Sequence, residues 1–144
     1  MKFVKGAPLF FCLLTIVSVH LYADQDYSNS FTLDKNYSFQ IVENLASNAI
    51  KFSPLGKNVF VKTYGFNGKA CIEIKDEGPG FNSHDKKNIY RKFQQLSAKP
   101  TGGESSTGLG LSIVKKFVDA MDGVLKLKSE ERKVACFTIE FEKK

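Results

Sequence analysis

The stretch QIVENLASNAIKFS, residues 40–53, carries two stripes at helical spacing. Gln40, Asn44, Asn48 and Lys51 recur at intervals of four, four and three, so they share one helix face. Ile41, Leu45, Ala49 and Phe52 share another, the face that seeks a core. A solvated face is usually built from Glu and Lys, whereas a row of amides closed by a lysine has a chemical use. An amide oxygen can ligate a hard cation such as Mg2+, which keeps several waters and needs few protein ligands. The lysine and the amide protons can then meet phosphate oxygens. The plainer description, polar side chains turned to water, fits the same residues. The helix reads from Tyr37 to Phe52 and is stopped by Ser53-Pro54-Leu55-Gly56.

Working outward, Asn58 to Phe66 and Lys69 to Asp76 read as strands joined by Asn67-Gly68, a strong two-residue hairpin signal. In KACIEIKDEGPGF, residues 69–81, the two-residue period directs Ile72, Ile74 and Asp76 to one side. A carboxylate aimed at the apolar side is costly unless it accepts a hydrogen bond; the exocyclic amine of a purine would supply one. Gly78 and Gly80 would let the backbone approach a flat ring closely. Equally, Asp76 begins a turn that the two glycines shape. A third motif, Thr107-Gly108-Leu109-Gly110, opens a helix expected over Gly108 to Met121, where free N–H groups and the helix dipole favour phosphate. Its spacing is neither that of a P-loop nor GxGxxG.

The remaining elements complete an α+β sandwich, a mixed and mostly antiparallel sheet with helices on one face. DQDYSNS, residues 24–30, reads as a turn and Phe31 to Leu33 as a short strand. A short helix is expected around Asp85 to Phe93 and a mobile polar loop from Leu96 to Thr107. Ile113, Val114, Phe117, Val118 and Met121 mark the apolar side of the last helix, with Gly123 as its C-terminal cap. Val124 to Ser129 and Val134 to Phe141 form a final hairpin.

At 144 residues, with 42% hydrophobic and 25% charged residues, the chain suits one soluble α/β domain with a real core. The net charge of +6 is spread along the chain, with no arginine-rich run or basic patch interleaved with aromatics, which argues against nucleic acid. Cys12, Cys71 and Cys136 form no CxxC pair and no metal-ligand spacing with His20 or His84, so free thiols in a reducing compartment are expected and a structural metal is not. Residues 1–23 form a separate apolar segment with two readings. Lys2 and Lys5 before the run Ala7 to Val19 outline a signal or anchor, too short to span a bilayer comfortably. Val17, Val19 and Leu21, alternating with Ser18 and His20, outline a first strand. The domain proper is then 24–144.

In order, NLASNAIKFSP, DEGPGF, IYRKF and TGLGLSIVKKFVDAMDG resemble the N, G1, F and G2 boxes of the GHKL ATPases, specifically the catalytic and ATP-binding domain of sensor histidine kinases. The resemblance covers residues 30 to 142 and implies the Bergerat α/β sandwich, with ATP under a lid. It implies that Asn48 ligates Mg2+ bridging the phosphates, with Asn44 beside it and Lys51 on the phosphate chain. Asp76 would receive the adenine amine, and Gly78 and Gly80 would line the adenine pocket. Phe93 would be the F-box aromatic, Leu96 to Ser106 the lid, and Thr107, Gly108, Leu109 and Gly110 the phosphate-side backbone.

Departures from the family pattern sharpen the expectation. Hydrolysing relatives, gyrase and the heat-shock chaperones among them, place a water-activating Glu one turn before the metal-binding Asn; this chain has Asn44 there, as kinases do. Glu43 lies about 100° round the helix from Asn44, so no residue is assigned as a catalytic base. Ser106 replaces the first glycine of the G2 box, Val134-Ala135 the usual Gly-Thr of the last strand, and Arg91 a common acidic residue. Neither His20 nor His84 has the surroundings of a phosphoacceptor. The resemblance therefore implies a cytoplasmic Mg·ATP-binding kinase domain, or one on the cytoplasmic side of a membrane. Its partners would be a histidine-bearing dimerisation segment and, indirectly, a response regulator; a membrane would be met only through an N-terminal anchor. A non-catalytic nucleotide-binding module and a free-standing serine kinase of the anti-sigma type are the competing expectations.

Overall fold

The computed structural model describes residues 33–101 and 107–142, and the backbone of residues 18–23. In chain order the elements are β1 (Ser18–Ala23), α1 (Lys35–Phe52), β2 (Asn58–Phe66) and β3 (Lys69–Asp76). They continue with α2 (Ser83–Asn88), α3 (Gly110–Ala120), β4 (Val124–Glu130) and β5 (Val134–Glu142). The five strands form one sheet in the order β1-β2-β3-β5-β4. β1 joins β2 in parallel and the other three pairs are antiparallel, the mixed sheet that was expected.

Local chemistry sets these elements. Asn67 and Gly68 hold φ values of 49° and 74°, the doubly left-handed turn that matches strand twist, and so close the β2–β3 hairpin. Asp34 caps α1 by accepting the Tyr37 N–H at 2.9 Å, and Ser53, just before Pro54, ends it. Registers align Val61, Ile74, Phe137 and Leu127 across β2, β3, β5 and β4, with Thr63, Ile72, Ile139 and Leu125 as the next row. Both rows meet Ile41 and Leu45 of α1 and Val114 and Val118 of α3 in one core. The two long helices lie on this face and touch along their length, where Tyr37 stacks on Phe117 at 4.8 Å between ring centroids.

Several boundaries differ from the sequence reading. α3 begins at Gly110, two residues late, and buries Leu111, Val114 and Val118, while Phe117 turns to α1. Its C-terminus is turned by Asp122, at φ 54°, rather than by Gly123. Gly123 is required for another reason: a Cβ there would lie 2.6 Å from Cε1 of Phe141. α2 starts at Ser83 because Asn82 caps it, accepting the Asp85 N–H at 2.8 Å, and it ends before Ile89, which turns into the core. His84 therefore rides on a helix, not in a loop. Leu33 belongs to no strand. The apolar run through residue 17, the turn at 24–30, Phe31 and residues 102–106, with Ser106, lie outside the described residues. Among the described residues, no helix is long and apolar enough to cross a membrane.

Candidate functional site

The cleft between α1, α3 and the end of β3 has two chambers that share Asn48. β3 delivers Asp76 into the first. Its row across the sheet is Val59, Asp76, Ala135 and Ser129, continuous with the core rows, so the carboxylate emerges on the helix side as its spacing predicts. The first chamber is a narrow slot with a cavity volume of about 40 Å3 and is mainly apolar, with Phe52, Phe81, Leu96, Ala98 and Ala135 around Asp76.

Asp76 is only 7% exposed and, among the described residues, accepts one hydrogen bond, from the Gly78 N–H at 2.9 Å. Burial pushes its pKa up to about 6, partly offset by that bond. A half-satisfied carboxylate at the end of an apolar slot is a ready acceptor for an amine on a flat apolar ligand. The glycines make the approach possible. A Cβ on Gly78 would lie 2.7 Å from Oδ1 of Asp76, and one on Gly80, at φ 63°, would lie 2.1 Å from the Glu130 carbonyl oxygen. Further bonds pin this loop to the β4–β5 hairpin: the Phe81 N–H donates to Ser129 Oγ at 2.8 Å and the Arg132 N–H to the Pro79 carbonyl.

The second chamber, about 250 Å3, is polar and open, lined by Asn44, Asn48 and Lys51 of α1 and by Thr107, Leu109 and Gly110 at the start of α3. α3 has no side-chain cap, and its first turn holds no acidic residue, so its leading N–H groups are left for an incoming acceptor. The Asn44 amide nitrogen donates to the Gln40 carbonyl at 2.7 Å, which turns its oxygen the other way, towards Gly110. A Cβ on Gly110 would lie 3.2 Å from that oxygen and 3.4 Å from Nδ2 of Asn48, so the glycine keeps this cradle open. Neutral amide oxygens suit a hard cation that brings waters and phosphate oxygens as its other ligands. No group of three or more His, Cys, Asp or Glu able to hold a metal by itself occurs among the described residues.

The structure thus brings Asn44, Asn48, Lys51, Asp76, Gly80, Thr107, Leu109 and Gly110 to one cleft. Gly78 and Gly108 stand behind it. Gly108, at φ 68°, is packed against the backbone of Gln94, and its carbonyl accepts the Phe93 N–H at 3.1 Å. Phe93 itself is 74% exposed and lines neither chamber, so as placed it is not a wall of the cleft. Glu43 lines neither chamber. The sequence reading missed Phe81 and also Phe52, which it gave wholly to the core; it placed Leu96 and Ala98 within the lid without singling them out as walls of the apolar chamber. Apolar residues inside an otherwise polar loop were the available sign for the last two.

Residues 34–144 match a family model described as histidine kinase-, DNA gyrase B-, and HSP90-like ATPase. The circadian input-output histidine kinase CikA of Thermosynechococcus vestitus is 34% identical over 100 residues, covering 69% of this chain and 14% of that protein. The histidine protein kinase DivJ of Caulobacter vibrioides is 35% identical over 96 residues, 67% of this chain and 16% of its own length. The match therefore spans about a seventh of the length of the CikA and DivJ proteins. Among solved structures, the mycobacterial sensor histidine kinase MprB superposes with a TM-score of 0.73 at 22% identity, over 87% of this chain and 82% of that one. Full-length ShkA in complex with AMPPNP gives 0.72 at 26% identity, over 87% and 25%.

Proposed function

The chain belongs to the histidine kinase-, DNA gyrase B-, and HSP90-like ATPase family, and we propose that it is the Mg·ATP-binding catalytic domain of a sensor histidine kinase. The observation that carries this reading is the two-chambered cleft: a buried carboxylate in an apolar slot, joined through Asn48 to an amide-and-lysine cradle at an uncapped helix start. In it, Asp76 accepts the adenine amine while Phe52, Phe81 and Leu96 exclude water from the ring. Lys51 and the first N–H groups of α3 hold the phosphate chain. Asn48 offers the amide oxygen that would hold Mg2+, with Asn44 beside it; when bound, the ion neutralises phosphate charge.

With no carboxylate at position 44 to activate water, the terminal phosphate is held for a protein acceptor instead. Transfer then rests on positioning and charge compensation, with little covalent chemistry for this chain. The acceptor is a histidine on a separate helical dimerisation segment, which hands the phosphoryl group to a response regulator. The domain works where ATP is plentiful, in the cytoplasm or on the cytoplasmic side of a membrane.

The test pairs binding with transfer. Mg·ATP affinity of the wild type is measured beside Asn48→Ala and Asp76→Asn, and labelled ATP is supplied with a histidine-bearing helical hairpin. Both variants should bind more weakly, and the hairpin should acquire acid-labile phosphate. Unchanged binding in both variants would remove the site assignment. Tight binding without transfer would leave a nucleotide-binding module, and label on a serine acceptor would favour the anti-sigma type of kinase.

A further inference from the structure

Asp85 is 4% exposed, lies outside both chambers, and turns its carboxylate to Ser97 near the start of the lid segment, with the exposed His84 ring 3.9 Å from one oxygen. Its two carboxylate oxygens accept the Ser97 N–H at 3.3 and 3.2 Å, and one of them also accepts the Ser97 hydroxyl. The Asn82 side chain completes the clasp: its oxygen takes the Asp85 N–H at 2.8 Å, and its amide donates to Ser97 Oγ at 2.8 Å. Four residues on, a second fastening holds Thr101. Its N–H donates to the Lys51 carbonyl at 2.9 Å, and its hydroxyl lies 3.0 Å from that oxygen and 3.3 Å from the Ser53 carbonyl. These carbonyls stand at the end of α1, where the helical ladder runs out.

The residues on either side of Ser97 are Leu96 and Ala98, and both line the apolar chamber. We propose that Asp85 is a positioning residue for the nucleotide: through Ser97, and with Thr101 at the far end, it holds residues 96–101 as a fixed wall against the base. The inference rests on the nucleotide reading above and deepens it, because it separates retention of the base from retention of the phosphates. A bond from a hydroxyl to a buried carboxylate is charge-assisted and stronger than a neutral one. The clasp therefore controls how long the base stays, while none of Asn82, Asp85 and Ser97 lines the polar chamber between α1 and the start of α3.

Release of a ribose-labelled fluorescent ATP is followed by stopped flow for the wild type, Ser97→Ala, Ser97→Thr and Asp85→Asn, with displacement by adenosine and by Mg2+-triphosphate in parallel. Ser97→Ala should release nucleotide about tenfold faster, the loss expected of one hydrogen bond to a charged group. Adenosine should weaken alongside it while triphosphate keeps its wild-type affinity, and Ser97→Thr, which retains the hydroxyl, should restore slow release. Ser97 is exposed at the surface, so its replacement keeps the test open if Asp85→Asn unfolds. Wild-type release from Ser97→Ala, or equal weakening of adenosine and triphosphate, overturns the clasp. If the wild type binds no ATP and Asp76→Asn changes nothing, the nucleotide reading and the clasp fall together.

Discussion

Asp76 on β3 pairs directly with Ala135 on β5 and, on its other side, with Val59 on β2, so neither flanking strand offers its carboxylate a polar side chain. A threonine commonly occupies the place of Ala135 in the family; here the carboxyl of Asp76 is buried, which pushes its pKa up to about 6, with the Gly78 N–H bond pulling the other way. The sign follows from the raised value. The folded state binds the proton more tightly than the unfolded chain, whose carboxyl titrates near 3.8. The ligand-free fold is therefore free of penalty from this group at pH 3.8 and below, and loses stability as pH rises towards 6. Above that it carries a cost of about 3 kcal/mol. Asp76→Asn should flatten this part of the pH dependence of thermal unfolding and stabilise the empty protein at pH 8. A variant that melts lower than wild type at pH 8 would contradict it.

The same carboxylate should couple binding to protons. An amine donating to Asp76 favours its ionised form, so ligand binding near pH 6 should release protons, and affinity should fall as pH drops from 7.5 to about 5.5. Adenosine is the ligand to use in calorimetry, because it has no phosphate to titrate. Heats that are independent of buffer ionisation at pH 6 would count against the assignment.

Asn48 borders both chambers, and its amide is the proposed seat of Mg2+. Chelating Mg2+ should weaken ATP binding by the wild type substantially and that by Asn48→Ala hardly at all, since the variant has already lost the protein's share of the cation's ligands. Lys51→Ala should weaken binding in both conditions. Equal sensitivity to chelation in wild type and Asn48→Ala would place the cation elsewhere.

What the sequence disclosed was what periodicity and turn chemistry control. The amide stripe of α1, the Asn67-Gly68 hairpin and the inward aspartate each follow from spacing alone, and strands β2 and β3 were bounded to the residue. What it hid depends on contacts between distant segments. The Asp85–Ser97 clasp joins residues twelve apart, and Thr101 reaches back to Lys51, fifty residues away. Phe93 read as part of the site because of its motif, yet its backbone, at φ 58°, turns the ring outward to solvent. A left-handed aromatic cannot be foreseen from local preference, because such residues seldom adopt that conformation.

Gly123 illustrates how a glycine can be right for a reason other than the expected one. Asp122 already makes the left-handed turn, while Gly123 lies under the Phe141 ring, with a Cβ position 2.8 Å from Cδ1 and 3.0 Å from Cγ1 of Val118. Gly123→Ala should therefore overpack the core and destabilise the domain by about 1–3 kcal/mol in denaturant unfolding. Nucleotide affinity of the folded fraction should stay near wild type, because neither chamber includes Phe141 or Val118.

Gly110 should respond in the opposite sense. As the first residue of α3 it is a poor helix former, so Gly110→Ala should leave the melting temperature unchanged or raise it, by up to about 1 kcal/mol of helix propensity. The new methyl would nevertheless stand 3.2 Å from the Asn44 oxygen and 3.4 Å from Nδ2 of Asn48, in the cradle proposed for the phosphates and their cation. Affinity for Mg·ATP should fall, and Mg2+-triphosphate should lose as much as ATP does, while adenosine binding is spared. That split distinguishes a crowded phosphate cradle from general damage, which would lower adenosine binding too. A variant that is more stable and yet binds triphosphate as tightly as wild type would show that the phosphates do not pass between α1 and the start of α3.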